Sequence, residues 1–317
     1  MSSRLTPVPA SPVRPRITPT QDVATRKASN VVTPAAPKAR QSQMTTIYQD
    51  DFCQIVTDDP KMSKTQGQSL AKKIEDAYDY DTKTEAWKNT GALKQDLLQV
   101  DALTKSGYDQ LLNGDSTGVA GVTMGPNLMA VPENLAQSTN PDDDDTIAHE
   151  LNHVQDFREA GDGIDNIPVY EQEGKAYTMG DSYPIHLGTD GKDPVLADVG
   201  NFLTTVTGDQ AREIMDNYRD GSAESDPSRN GFRDETTGAL YVQFLKTQFQ
   251  GGSPDAVQKL AQVTSDVGTG MSYDAAFQKS FGASSKSSED AFVKFVTDTE
   301  NDPAARMKGT LWEPYLK

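Results

Sequence analysis

Two of the three histidines in the 317-residue chain lie four residues apart, in the sequence HELNH at 149–153. Residues four apart on a helix project from the same face, so His149 and His153 can bind a single metal ion. Glu150 lies on the turn between them, where its carboxylate can take a proton from a water molecule that the metal activates. In a chain so poor in histidine, this spacing is expected by chance on the order of twice in a thousand sequences. The motif therefore predicts a metal site, and imidazole nitrogens favour zinc.

A third ligand would complete the site, because catalytic zinc sites usually have three protein ligands and one open position. A compact pattern with Gly at 156 and His or Asp at 159 is not present, since the chain has Asp156 and Glu159. Further along, the stretch VYEQEGKAY contains Glu171 and Glu173. The 20 residues from His153 to Glu173 allow one helix to end near residue 161 and a second to return beside it.

The elements expected before the motif are two helical stretches and a hairpin. Residues 63–81 place apolar side chains at helical spacing, and residues 91–114 are predicted to be a further helical stretch. Residues 118–134 then contain two short apolar runs around Gly125-Pro126-Asn127, which is typical of a β-hairpin. On the motif helix, the apolar residues expected to face the core are Ile147, Leu151 and Val154.

Acidic residues come directly before the motif. Asp142 to Asp145 are expected to begin its helix, where carboxylates complement the helix dipole, and a calcium site is the alternative. Asp162, in the run GDGID, is another conceivable oxygen ligand, although such Gly/Asp runs usually form turns.

Charge is divided unevenly along the chain. The formal net charge is −17, but the first 47 residues carry seven basic side chains and one acid, so the remainder carries −23. A body this acidic repels nucleic acid and anionic membranes, and no apolar run approaches the roughly 20 residues of a membrane span. The single cysteine, Cys53, excludes an internal disulfide and is expected to be an ordinary buried thiol.

The first 47 residues form a basic Ser/Thr/Pro-rich leader that is expected to be disordered, because it contains only scattered apolar residues. It resembles the N-terminal export signals of bacterial proteins that are injected into host cells, and also an organellar transit peptide. That resemblance implies secretion or injection into a host, with a flexible tail on a cytoplasmic protein as the alternative.

The motif and its spacing resemble those of the gluzincin metallopeptidases, in which HExxH is followed after nineteen residues by a glutamate. The stretch PVYEQEGKAYTMG at 168–180 is similar to the ligand helix of the aminopeptidase-N-like members. The resemblance implies that Glu173 is the third ligand of one zinc ion per chain, with Glu171 as the fallback. It also implies that Gly174 and Ala176 permit close helix packing.

Two later stretches, 237–262 and 272–296, are similar to the helices that follow the metal site in the same family, so the resemblance covers roughly residues 117–297. It implies an α+β, predominantly helical, zincin-like fold in which a small sheet and its edge strand precede the metal-binding helix. We therefore expect a helical N-terminal region at 48–116 and a catalytic region at 117–317 whose C-terminal part is helical.

The chain also departs from this family. The stretch VTMGPN at 122–127 lacks the acidic residue with which an aminopeptidase holds a free amino terminus, which argues against an exopeptidase. At the position of the family's catalytic tyrosine the chain has Glu235. Other side chains would then stabilise the oxyanion. The candidates are Tyr177, Tyr241 and His186, followed by Tyr183 and Tyr218.

These observations predict a zinc-dependent endopeptidase that cleaves protein or peptide substrates. An extended peptide would pair with the edge of the hairpin at 117–132. One alternative is a non-catalytic zincin-like protein that binds a partner or host protein. A weaker one is a toxin that processes its own leader. The sequence makes no prediction of oligomeric state.

Overall fold

A computed structural model describes residues 44–83, 87, 97–112, 120–138, 141–188, 194–217 and 231–316. The side chains at 141–143, 194–198, 217 and 231–235 are outside this description. The predicted leader also falls almost wholly outside it.

The described strands form one five-stranded mixed sheet. They are β1 (Thr45–Gln49), β2 (Cys53–Thr57), β3 (Leu98–Leu103), β4 (Val122–Gly125) and β5 (Leu128–Pro132). Their order across the sheet is β1-β2-β3-β5-β4. The pairs β1/β2 and β4/β5 are antiparallel, whereas β3 runs parallel to both of its neighbours. Strand β4 is the first strand of the predicted hairpin. Among the described strands it pairs with β5 alone, so it lies at one end of the sheet.

Helices make up most of the rest of the described chain. They are α1 (Lys64–Lys83), α2 (Lys105–Leu111), α3 (Pro141–Ala160), α4 (Val169–His186), α5 (Pro194–Leu203), α6 (Gly208–Asn217), α7 (Gly231–Thr247), α8 (Ala256–Gly268), α9 (Tyr273–Phe281), α10 (Ser285–Asp298) and α11 (Pro303–Met307). The expected α+β, predominantly helical class is confirmed. Within the described ranges, no helix combines the length and apolarity that a membrane crossing would require.

The prediction of a helix over 91–114 is wrong at its centre, where Leu98–Leu103 forms β3. Five of the six residues of β3 are buried, because the strand lies between two parallel neighbours and both of its faces are covered. A short apolar run of this kind fits a buried strand as well as a helix. Only Lys105–Leu111 is helical, starting at Thr104, whose side chain accepts a hydrogen bond from the Gly107 amide. Residues 91–96 and 113–114 lie outside the described part.

The segment 48–116, which was expected to be helical, thus contributes strands as well as helices. Strands β2 and β3 lie wholly within it, and β3 pairs with β5 from the following segment. The expected helix at 63–81 is confirmed by α1, whose apolar face is buried at Leu70, Ile74 and Ala77. Cys53, on β2, is fully buried and free, and burial raises the pKa of its thiol to about 12.

The predicted hairpin is confirmed by β4 and β5, which pair in antiparallel fashion around Pro126-Asn127. Gly125 has a φ of 149°, in the region that favours glycine, where the chain enters the turn. Arg158 of α3 binds this turn, because its Nε donates a hydrogen bond of 2.6 Å to the Pro126 carbonyl oxygen. The hairpin is therefore attached to the motif helix.

The motif helix α3 lies between the sheet and the other helices. Ile147, Leu151 and Val154 are almost completely buried, as their spacing predicted. The acidic run occupies the first turn of α3, and Asp144 forms an ion pair with Lys73 over 2.7 Å. The turn Gly161–Asn166 follows α3 and leads the chain back into α4, which packs against both α3 and α7.

Candidate metal centre

Helix α3 brings the two histidines of the motif together. Their Nε2 atoms are 3.1 Å apart, and the two rings meet at 74° with centroids 4.8 Å apart. Both residues are buried, with 5% of His149 and 7% of His153 exposed. One turn of helix separates the two residues, so this arrangement follows directly from the four-residue spacing.

Helix α4 adds Glu173 to the pair. Its Oε2 lies 3.6 Å from the Nε2 of His149 and 3.3 Å from the Nε2 of His153. Four ligand bonds of ~2.1 Å in a tetrahedral arrangement place neighbouring ligand atoms about 3.4 Å apart. The three separations in the cluster bracket that value. These side chains can therefore hold a metal ion.

The polar atoms of the cluster also suit a cation. The Glu173 Oε2 is buried and receives no well-directed hydrogen bond from the described residues, although two imidazoles face it. Burial acts to raise the pKa of Glu173, but His153 and His149 outweigh burial and hold that pKa below its ordinary value. For His153, burial acts to lower the pKa, but the Glu173 carboxylate raises it overall. The site thus favours an ionised glutamate beside positive charge.

Glu150 lies next to the cluster on the same helix. It is 1% exposed, and its Oε2 accepts a hydrogen bond of 2.7 Å from the Thr123 hydroxyl on β4. Its Oε1 is buried without a hydrogen-bond partner among the described residues. Burial raises the pKa of this carboxyl group, against the opposing effect of His149 and His153. A proton acceptor is therefore present beside the three ligand atoms.

The structure does not bring the fallback ligand Glu171 to the cluster. Two residues correspond to about 200° around a helix, so Glu171 and Glu173 point to opposite sides of α4. The Oε2 of Glu171 accepts a hydrogen bond from the Tyr273 hydroxyl. Burial raises the pKa of Glu171 to about 7, although Lys175 and Tyr273 oppose the change.

Of the three oxyanion candidates, Tyr177 lies beside the cluster. It follows Glu173 by one turn of α4, and its ring meets the ring of His149 at 88° with centroids 4.8 Å apart. Tyr241 lies in the core, 2.6 Å from the Ser288 hydroxyl and packed against Phe292.

His186, at the end of α4, follows Glu173 by 13 residues, which correspond to about 20 Å along a helix. Its ring packs on Tyr80, with centroids 4.6 Å apart, so it is too distant to act at the cluster. Tyr183 lies in the same aromatic group. Tyr218 and the side chain of Glu235 are outside the described residues.

A buried ion pair connects the two ligand helices, and sequence reasoning missed it. Lys175 of α4 binds Asp156 of α3, and both side chains are completely buried. The Lys175 ammonium group also donates to the Thr264 hydroxyl on α8 over 2.7 Å and lies 5.2 Å from the centre of the Trp87 ring. Asp156 follows His153 by three residues and Lys175 follows Glu173 by two, but their pairing depends on how the helices cross.

Glycine allows the close approach of α4 and α7. A Cβ atom on Gly174 would lie 2.4 Å from the Gly238 carbonyl oxygen, and one on Gly238 would lie 2.3 Å from the Tyr170 carbonyl oxygen. The close packing expected at Gly174 is thus present, and α7 supplies the facing glycine.

A cavity of about 850 Å³ opens at the C-terminal end of α3, between Arg158 on α3 and Tyr273 at the start of α9. The residues that line it do not include His149, His153 or Glu173. The candidate chemistry therefore lies at the buried cluster and not in this cavity.

Comparison of the sequence with models of known protein families and with characterised proteins returns no match.

Proposed function

We propose that the protein is a zinc-dependent endopeptidase of the gluzincin type, with His149, His153 and Glu173 as metal ligands and Glu150 as the general base. The observation that carries this proposal is the buried cluster itself, whose ligand atoms have the separations of a tetrahedral site. A carboxyl group beside such a cluster is what metal-assisted hydrolysis requires.

Zinc is the metal that fits this donor set best. Two imidazole nitrogens and one carboxylate oxygen suit zinc, whereas calcium and magnesium favour sites made of oxygen atoms. Three protein ligands leave one position open, which is typical of catalytic rather than structural zinc sites. A zinc ion held here would polarise the scissile carbonyl group and acidify a water molecule.

Glu150 would move the proton in this reaction. Its Oε2 is held by Thr123, so Oε1 is the oxygen that can accept a proton from the attacking water and return it to the leaving amine. The Tyr177 hydroxyl is our choice for the group that stabilises the developing oxyanion, because its ring lies against His149.

Strand β4 would align the substrate. It lies at the end of the sheet order and contacts α3 through Thr123, so a peptide paired with its outer side would run past Glu150. Main-chain hydrogen bonds along an edge strand hold an extended peptide independently of its sequence. This supports an endopeptidase that cleaves extended segments of protein substrates.

The test is cleavage of a casein mixture by the purified zinc-loaded protein, with and without a chelator. We expect chelator-sensitive fragments from the wild type. We expect Glu150→Ala to retain zinc and to cleave about 10²–10⁴-fold more slowly, the usual contribution of a general base. Glu171→Gln, which changes a buried glutamate on the other side of α4, is the control and should retain activity. Undiminished cleavage by Glu150→Ala, or cleavage that is insensitive to the chelator, would rule the proposal out.

A further inference from the structure

The carboxyl group of Glu150 is held from the sheet, although the residue belongs to helix α3. The Thr123 Oγ1 atom on β4 lies 2.7 Å from the Glu150 Oε2 and 2.9 Å from the Glu150 carbonyl oxygen. A hydroxyl group has one proton, so it can donate to only one of these oxygens at a time. A carbonyl oxygen within a helix already accepts a backbone hydrogen bond, so the carboxylate is the acceptor that gains most from the hydroxyl.

The chain just before Thr123 confines the same carboxyl group. A Cβ atom at Gly121 would lie 2.5–2.8 Å from the Glu150 side chain, including 2.7 Å from Oε1, so any larger residue there would displace that side chain. This Oε1 is buried and has no hydrogen-bond partner among the described residues. Among the described residues, one oxygen of the carboxyl group is therefore hydrogen-bonded and the other is not.

We propose that Thr123 is a positioning residue for the reaction of Glu150. By holding Oε2, its hydroxyl group fixes the rotation of the carboxyl group and leaves Oε1 as the atom that receives and returns the proton. The strand that would align the peptide thus also orients the base, so β4 would fix the position of the substrate relative to the Glu150 carboxyl group. This inference rests on the proposed endopeptidase function.

The first test is kinetic. Thr123→Val removes the hydroxyl group but keeps the size and branching of the side chain. We expect kcat to fall about 10–100-fold with KM and zinc content unchanged, because a misplaced catalytic group costs rate rather than binding. Thr123→Ser keeps the hydroxyl group and should recover kcat to within about threefold of the wild type.

The control for this test is Thr45→Val, because Thr45 is an exposed residue on β1, at the opposite edge of the sheet. It should leave kcat unchanged. An unchanged kcat in Thr123→Val, or a loss in Thr123→Ser as large as in Thr123→Val, would overturn the positioning role.

The second test needs no enzymatic activity. A double-mutant cycle combines Thr123→Val with Glu150→Ala and follows urea unfolding of the chelator-treated protein. We expect the two substitutions to be coupled by roughly tenfold in the unfolding equilibrium constant, since the hydrogen bond is made to a charged group. Independent effects would show that the bond does not form and would overturn the inference. Coupling in a protein that cleaves nothing would contradict the proposed function while supporting the contact itself.

Discussion

Carboxyl groups around the candidate metal centre have very different pKa values, although two of them are only two residues apart. The pKa of Glu173 lies below its ordinary value because two imidazoles face it and outweigh the effect of burial. The pKa of Glu171 is raised to about 7 because burial dominates there. The helical rotation between the two residues thus separates an ionised candidate ligand, Glu173, from a carboxyl group that is easily protonated, Glu171.

The raised pKa of Glu171 predicts a pH dependence of stability. The folded protein binds this proton more tightly than the unfolded chain, whose ordinary value is 4.5. The contribution to stability is therefore complete below about pH 4.5 and is lost as the pH rises towards 7. This loss of stability, on the order of 2–3 kcal/mol in the free energy of unfolding, should be absent in Glu171→Gln, because glutamine mimics the protonated form.

Urea unfolding of the chelator-treated protein between pH 4.5 and 8 measures this effect. We expect the variant to be more stable than the wild type at pH 8 and similar to it at pH 4.5. Two parallel pH profiles would contradict the prediction.

At the scale of the helices, the buried pair of Lys175 and Asp156 holds α4 against α3 close to the candidate metal ligands. Removing one partner of a buried ion pair leaves a buried charge without compensation, which costs about 3–5 kcal/mol. We expect Lys175→Met to lower the free energy of unfolding by that amount and to weaken zinc retention. The double variant Lys175→Met/Asp156→Leu should recover much of the stability, because replacement of both charges by apolar groups is often neutral.

A matched control for this prediction is Lys294→Met. Its partner Asp298 lies one turn along α10, and both side chains are more than half exposed. Exposed pairs of this kind contribute about 0–1 kcal/mol, so the control should unfold almost as the wild type does. Equal losses in Lys175→Met and Lys294→Met, measured by urea unfolding, would contradict the assigned importance of the buried pair.

The crossing of α4 and α7 predicts an unusual response to alanine. An open helical position normally gains about 1 kcal/mol when glycine is replaced by alanine. At Gly174 the new Cβ atom would instead meet the Gly238 carbonyl oxygen at 2.4 Å, and backbone atoms cannot rotate away. We expect Gly174→Ala to lose about 1–3 kcal/mol, as overpacked sites do. Thermal unfolding measures the change, and an increase in Tm would disprove the close contact.

Elements with local signals could be predicted from the sequence. Helix α1 follows from its apolar period, the β4–β5 hairpin from Gly125-Pro126-Asn127, and the histidine pair from its spacing on α3. The family resemblance predicts Glu173 as the third ligand, and the structure brings it to the histidines. These features depend on residues close together in the chain or on a spacing shared with a known family.

Features that depend on contacts between distant segments were not predicted. The apolar run of β3 is compatible with either a helix or a strand. Its pairing with β2 and β5, which are distant in the chain, makes it a strand. The bond from Thr123 to Glu150 requires the sheet edge to lie against α3, and the pair of Lys175 and Asp156 requires two helices to cross at one point. No periodicity encodes these distances.

For the whole molecule, helix α8 and the turn that contains Trp312, both from the C-terminal half, support the candidate centre. Thr264 on α8 binds the Lys175 ammonium group, and the Trp312 indole donates to Asp181 of α4 over 2.6 Å. Helices α3 and α4 therefore contact the sheet through α3 and segments of the C-terminal half through Lys175 and Asp181. An enclosed, largely buried site strengthens electrostatic interactions with a bound cation, because little water competes.

The central claim is that His149, His153 and Glu173 hold one zinc ion, and metal analysis of the purified chain after zinc replenishment and dialysis tests it most directly. We predict one zinc ion per chain in the wild type and in Glu171→Gln, and clearly less in Glu173→Ala and His153→Ala. A wild type without stoichiometric zinc, or a Glu173→Ala variant that retains all of it, would contradict the account.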